Sequence, residues 1–171
     1  MALTWITSAG GPLLVAPQSA LASWAGVIDT DRPVETWGDY GRACAVDGYT
    51  GLIAIGDQEG LVLGDEPAMT TYLAEDRLFV RWAAAYDEDE LVVAAGRLVQ
   101  EDVNWDVSEE LVWDVEGPVV LFDSAEPGAD PEPGNHLVID LEPGQYRVRA
   151  TYRAEGHNQM ILVQLQPTGH P

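Results

Sequence analysis

The sequence predicts an α+β fold, strand-rich, with antiparallel or mixed sheets, few short helices and an all-β C-terminal third. Three observations predict it. Short apolar runs recur between clusters of Gly, Pro and Asp, the punctuation of strands and turns. One segment, opening at Asp87, has the composition of a helix start. From Val103 onward the apolar runs are strand-like.

The elements follow in order. Leu3 to Thr7 reads as a short strand, Gly10-Gly11-Pro12 as a turn, and Leu13-Leu14-Val15 as a second strand. Gln18 to Ala25 is expected to be a short helix, with Leu21 and Trp24 on one face and Gly26 in the left-handed position past its end. Residues 29–41 read as a loop and Arg42 to Val46 as a helical turn. Leu52 to Ile55 and Leu61 to Leu63 spell a hairpin across Gly56–Gly60. Met69 to Leu73 and Leu78 to Ala84 form another pair across Glu75-Asp76. Asp87-Glu88-Asp89-Glu90 precedes Leu91 to Leu98. Acids there complement the positive end of the helix dipole, and Asp87 with Glu90 has capping-box spacing. Val119 to Phe122, Leu137 to Ile139, Tyr146 to Tyr152 and Met160 to Leu165 are the later strands, with an exposed loop over Glu126 to Asn135. If Pro143 and Gly144 centre a tight turn, Leu141 faces Tyr146 and Asp140 faces Arg147.

The chain has 171 residues, 46% of them hydrophobic, so a core can form. That length predicts one domain over 1–171, or two packed lobes: α+β over 1–116 and β over 117–171. The charge is −21, from 29 acids against 8 arginines and no lysine. Each phosphate contact needs a cation, so no nucleic acid and no anionic membrane surface is expected as a partner. The favoured partner is cationic. Residues 61–116 alone carry 15 acids against 3 arginines, more than half of the net charge.

Cys44 is the one cysteine, so no internal disulfide forms, which fits a reducing cytoplasm. The Ala-rich stretch from Ala9 to Gly26 lacks the positive flank of a signal peptide, since the first cation is Arg32. No apolar stretch approaches the ~18–20 residues needed to span a bilayer. A cytoplasmic location is expected.

Catalytic patterns are thin. His136, His157 and His170 have no HxxxH spacing and there is no CxxC, so no metal is expected. Cys44 lies in Arg42-Ala43-Cys44-Ala45-Val46, an apolar setting that suits an inert, buried thiol. There is no Gly-x-Ser-x-Gly elbow. Carboxylate pairs such as Asp57/Glu59 or Asp29/Asp31 arise by chance among 29 acids. Asp87 to Glu90 lacks the EF-hand spacing and reads as a solvated helix start. Gly56 to Gly64 lacks the Gly-Lys-Ser/Thr of a phosphate loop. No cofactor is expected.

Arg147, Arg149 and Arg153 alternate with apolar residues along one strand, and acids such as Asp140 are their expected cross-strand partners. Trp105 and Trp113 sit among Glu101, Asp102, Asp106, Glu109, Glu110, Asp114 and Glu116. Aromatics rimmed by acids suit a hot spot for a basic partner. Equally, tryptophans on strands can anchor the core with acids outside. Trp105 fits both readings; the alternation of Leu111, Trp113 and Val115 favours core for Trp113.

Several blocks together suggest a family. Trp5 to Leu13, Asp39 to Cys44, Gly51-Leu52-Ile53, Leu61 to Pro67, Leu121 to Ala125 and the Pro-Gly-x-Tyr turn at Pro143 to Tyr146 occur in an order that resembles the Immunity protein 21 family, one of the immunity proteins of bacterial polymorphic-toxin systems. The resemblance implies a non-enzymatic inhibitor, made beside a toxin gene, that protects the producing cell by binding the toxin domain. It implies no catalytic residues. Toxins that attack nucleic acid are often basic, and an acidic inhibitor can be steered onto such a surface. The docking face is expected within Tyr86 to Glu116, which carries 11 acids and 1 arginine, with Glu101, Asp102, Trp105, Asp106, Glu109 and Glu110 as contacts. A small-molecule-binding or regulatory domain, with aromatics lining a pocket, is the alternative. A carboxylate hydrolase would instead place two acids across a cleft.

Overall fold

A computed structural model describes residues 3–28, 33, 37–64, 66–101 and 104–168, the side chains of residues 107–109 excepted. The fold is α+β and strand-rich, with two five-stranded antiparallel sheets.

The first sheet is built around β1 (Leu13–Pro17), whose five residues are all buried. It lies between β3 (Gln58–Leu63) and β7 (Val119–Asp123), and the full order is β2-β3-β1-β7-β8, with β2 at Thr50–Ile55 and β8 at His136–Ile139. Burial on both faces explains the unbroken apolar run of β1. Leu13 and Val15 point between the sheets, while Leu14 and Ala16 point outward into a second apolar cluster.

The second sheet has the order β4-β5-β10-β9-β6. Its strands are β4 (Thr70–Leu73), β5 (Leu78–Ala84), β6 (Asp106–Val115), β9 (Gly144–Glu155) and β10 (Asn158–Pro167). Phe79, Trp113, Tyr146, Val148, Ile161 and Val163 meet Leu13, Leu61, Val119 and Leu121 in the core shared by the sheets. Trp113 is fully buried, as its alternation with Leu111 and Val115 predicts, and its indole N–H donates to the Glu59 carbonyl at 2.9 Å.

Helices cover the two outer faces. A 3-10 helix (Gln18–Ser23) and α1 (Asp39–Cys44) place Ala20, Trp24 and Ala43 on the first sheet. On the second sheet, α2 (Glu88–Gln100) buries Leu91, Ala94 and Ala95 against Leu78, Val80, Met160 and Leu162. The Asp87 carboxylate accepts the Glu90 backbone N–H at 3.1 Å, the expected N-cap. The layers therefore run helix, sheet, sheet, helix.

Four local expectations change. Leu3 to Thr7 forms only one bridge, Ile6 to Thr70, because Thr7 turns aside to the Asn135 side chain (N–H to Oδ1 2.8 Å; Nδ2 to the Thr7 carbonyl 2.9 Å). The helix after Pro17 is a 3-10 helix ending at Ser23, with no side-chain cap at its start. The helical turn expected at Arg42 begins earlier, at Asp39, which pairs with Arg42 at 2.8 Å one turn on. The turn at Pro143-Gly144 does not close a hairpin: β8 belongs to the first sheet and β9 to the second. The chain crosses between sheets here because Leu141 and Tyr146 both enter the shared core, and the Tyr146 hydroxyl donates to the Glu142 carbonyl at 2.7 Å.

Candidate functional site

The acidic stretch from Tyr86 to Glu116 folds as α2, a short connector and β6. β6 is an edge strand of the second sheet, and α2 lies across the outer face of the same sheet against β5 and β10. Asn104 and Trp105, just before β6, are tied to β9. Thr151 Oγ1 (3.3 Å) and the Arg153 guanidinium both donate to the Asn104 carbonyl. The Arg149 guanidinium lies over the Trp105 ring, 4.3 Å from its centroid.

The predicted contacts separate as follows. Glu101 is exposed at the end of α2, where its backbone N–H donates to the Arg97 and Leu98 carbonyls. Trp105 is half-buried and packs against the cluster beneath α2, with Arg149 on its ring. Asp106, exposed, opens β6 opposite Ala150. Glu110 is exposed, with a carboxylate oxygen 3.9 Å from Arg147. Asp102 and the Glu109 side chain lie outside the described residues. Trp105 and Glu110 thus lie on the outer side of the sheet along β6, with Asp106 at the start of the same edge opposite Ala150 and Glu101 leading into them.

The arginines meet acids less than the sequence suggests: Arg147 lies 3.9 Å from Glu110 across the strands, but the closer bonds go to glutamines. Arg149 donates from Nε (3.0 Å) and a terminal nitrogen (2.7 Å) to Gln164 Oε1, and Arg147 grips Gln166 Oε1 in the same way at 3.3 and 2.8 Å. Asp140 is not their partner, because it follows β8, which lies in the other sheet. Burial first, then the charge of Arg147, draws the Arg149 pKa below its ordinary value, while Glu110 opposes that shift. The alternation of Arg and Gln on β9 and β10 was visible in the sequence; the pairing Arg147↔Gln166 and Arg149↔Gln164 that joins them was not.

Two clefts bear on the alternative reading. One, of about 370 Å³, is lined by Gly11, Tyr40, Cys44, Asp47, Gly64 and Glu66 among others. Cys44 is half-buried at its wall, not enclosed in the core as its apolar neighbours suggest. Burial, then a hydrogen bond to Cys44, then the charges of Cys44 and Asp123 push the Tyr40 phenol up to about 12. The second, of about 360 Å³, opens between β4 and β8 and is lined by Tyr72, Arg77, Leu137, Ile139 and Glu142 among others. Among the described residues no group of three or more His, Cys, Asp or Glu is placed to hold a metal ion. Also among them, no helix is long and apolar enough to cross a membrane.

Comparison with known proteins gives one match. The family model described as Immunity protein 21 matches residues 4–159. No curated protein and no solved structure matches.

Proposed function

The chain belongs to the Immunity protein 21 family, and from that premise we propose that it binds a cognate toxin domain stoichiometrically and neutralises it without catalysis. The toxin is proposed to be basic. The observation that carries this reading is the charge of the segment Tyr86 to Glu116, which folds as α2 and β6 and holds 11 acids against 1 arginine, an excess that Arg147, Arg149 and Arg153 of the neighbouring β9 offset only in part. Such a field steers a basic partner and raises its association rate more than its residence time. Glu101, Asp102, Trp105, Asp106, Glu109 and Glu110 are the proposed contacts, with the half-buried Trp105 as a rigid aromatic anchor. A cytoplasmic location suits protection of the producing cell.

The test uses the toxin domain encoded beside the gene. Reversing Glu101, Asp102 and Asp106 together to lysine is expected to slow association and flatten its dependence on salt. An association rate unchanged at low salt removes this face from the interface.

The cleft beside Tyr40 favours a second reading, a small-molecule-binding or regulatory domain. Its volume, about 370 Å³, falls at the small end of ligand sites. Protection of cells against the toxin by a variant whose cleft is blocked from its exposed rim, such as Asp47→Trp, separates the two, since toxin binding through the acidic face tolerates that change.

A further inference from the structure

Four strands lie at sheet edges: β2 and β8 in the first sheet, β4 and β6 in the second. β4 and β8 are each four residues long, and Ile6 bridges β4 at Thr70. β2 carries no acid, and Val46 packs so closely over it that a Cβ at Gly51 would lie 2.4 Å from that side chain. β6 spans ten residues, its pairing with β9 is interrupted between Asp106 and Leu111 and regular from Leu111 to Val115, and it is the acidic edge.

The hydrogen-bonding phase of β6 can be read from its neighbours. The Thr168 N–H donates to the Gln145 carbonyl at 3.0 Å, next to the Pro167↔Tyr146 pair. Bonded pairs alternate along an antiparallel ladder, so the odd-numbered residues of β9 bond to β10. Gly144, Tyr146 and Val148 therefore bond to β6, through Val115, Trp113 and Leu111. Val112 and Asp114 direct their backbone N–H and C=O groups away from β9, toward the free edge. The side chains of Glu110, Val112 and Asp114 alternate with the inward Trp113, and all three are exposed; Val112 is 52% exposed despite being apolar.

An open backbone ladder recruits another strand unless something opposes it. Charge selects the occupant. A second copy of β6 would lay acids beside acids, which is unfavourable across strands. A basic strand meets Glu110 and Asp114 with opposite charge and covers Val112 with its apolar residue. The Glu110 carboxylate has only a 3.9 Å contact with Arg147, and Asp114 accepts one hydrogen bond, from Gln145 Nε2 at 3.2 Å, so both keep acceptor capacity.

We propose that the toxin contributes an extended basic segment that adds to the free edge of β6, bonding through its backbone to Val112 and Asp114 and through its cationic side chains to Glu110 and Asp114. This is strand addition, in which the main chain gives affinity and alternate side chains give specificity. It rests on the toxin-binding reading and names how that binding is made.

The test compares the purified protein, free and bound to the toxin domain encoded beside its gene. Amide exchange at Val112 and Asp114, read by NMR, is expected to slow at least about tenfold in the complex, as a shared backbone bond requires. Val112→Pro deletes an outward N–H without touching the bonds to β9, and is expected to weaken toxin binding about tenfold or more, while Val112→Thr keeps the N–H, gives up only apolar contact and is expected to weaken binding far less than proline does. Unchanged exchange at both amides in a stable complex overturns strand addition and leaves toxin binding standing. Full affinity in a folded Val112→Pro variant does the same. Should that variant fail to fold, the exchange measurement on the unaltered complex decides. Self-association of the free protein that Val112→Pro abolishes would make a second copy the occupant and overturn the proposal. If the unaltered protein forms no complex with the toxin, the toxin-binding reading falls and takes this inference with it.

Discussion

The guanidinium of Arg149 stacks 4.3 Å from the centre of the Trp105 ring while its edge grips Gln164. One arginine thus joins the acidic connector to two strands of the second sheet. A cation over an indole contributes about 0.5–2 kcal/mol, more as the pair loses water. Arg149→Gln is expected to cost about 1 kcal/mol in urea unfolding and to shift the indole N–H resonance of Trp105. Arg149→Lys keeps the charge but not the planar fork, and is expected to recover less than half of the loss. An unmoved Trp105 resonance in Arg149→Gln would show that the stacking does not persist in solution.

Arg81 gives a second prediction. It is fully buried on β5, where Nε donates to Thr70 Oγ1 at 3.3 Å and the two terminal nitrogens donate to the Gly64 and Glu66 carbonyls. The fork therefore fixes the chain as it leaves β3. Leaving a buried acceptor without its donor costs about 1–3 kcal/mol, because it loses both protein and water. Arg81→Met, which fills similar space, is expected to fall in that range by denaturant titration. A loss below about 1 kcal/mol would mean that water replaces the guanidinium.

The sequence carried some of this and hid the rest, for physical reasons. Leu13 to Val15 was readable as a strand because burial on both faces demands an unbroken apolar run, which the structure extends to Pro17. The start of α2 was readable because Asp87 caps locally. Which strands pair was not readable at Pro143-Gly144, since a tight turn looks the same whether it closes a hairpin or passes the chain to a facing sheet. The role of Arg81 was equally hidden: its partners are mostly main-chain carbonyls, which leave no mark on residue type. At the candidate site, acidity and the two tryptophans were legible. The fate of Trp105 depended on Arg149, whose sequence separation gives no periodic signal.

The cap on α2 is separable from its charge. Asp87 accepts one of the free N–H groups of the first turn. Asp87→Ala is expected to lower stability by about 1 kcal/mol, and Asp87→Asn by much less, since asparagine caps nearly as well. Both remove one negative charge, so both are expected to slow association with a basic toxin equally. Equal loss of stability in the two variants would assign the effect to the helix dipole and not to the hydrogen bond.

Alkaline pH probes the two clefts through their tyrosines. Tyr72 packs against Phe79 with ring centroids 4.8 Å apart and the rings tilted by 53°. Burial raises its phenol from the ordinary 10.0 to about 12, against the pull of Arg77 and with a smaller push from Tyr146. Tyr40 rises to about 12, chiefly through burial. A pKa that is higher in the folded chain means that folding favours the protonated phenol. That contribution is complete below the unfolded value of 10.0 and is lost as pH climbs through about 12. Unfolding free energy from urea titrations is therefore expected to be flat just below pH 10.0 and to fall steadily up to about 12. Tyr72→Phe and Tyr40→Phe each remove one ionising group, and each is expected to make that fall shallower, with the double variant shallowest. A decline as steep in the double variant as in the unaltered protein would place the alkaline sensitivity elsewhere in the fold.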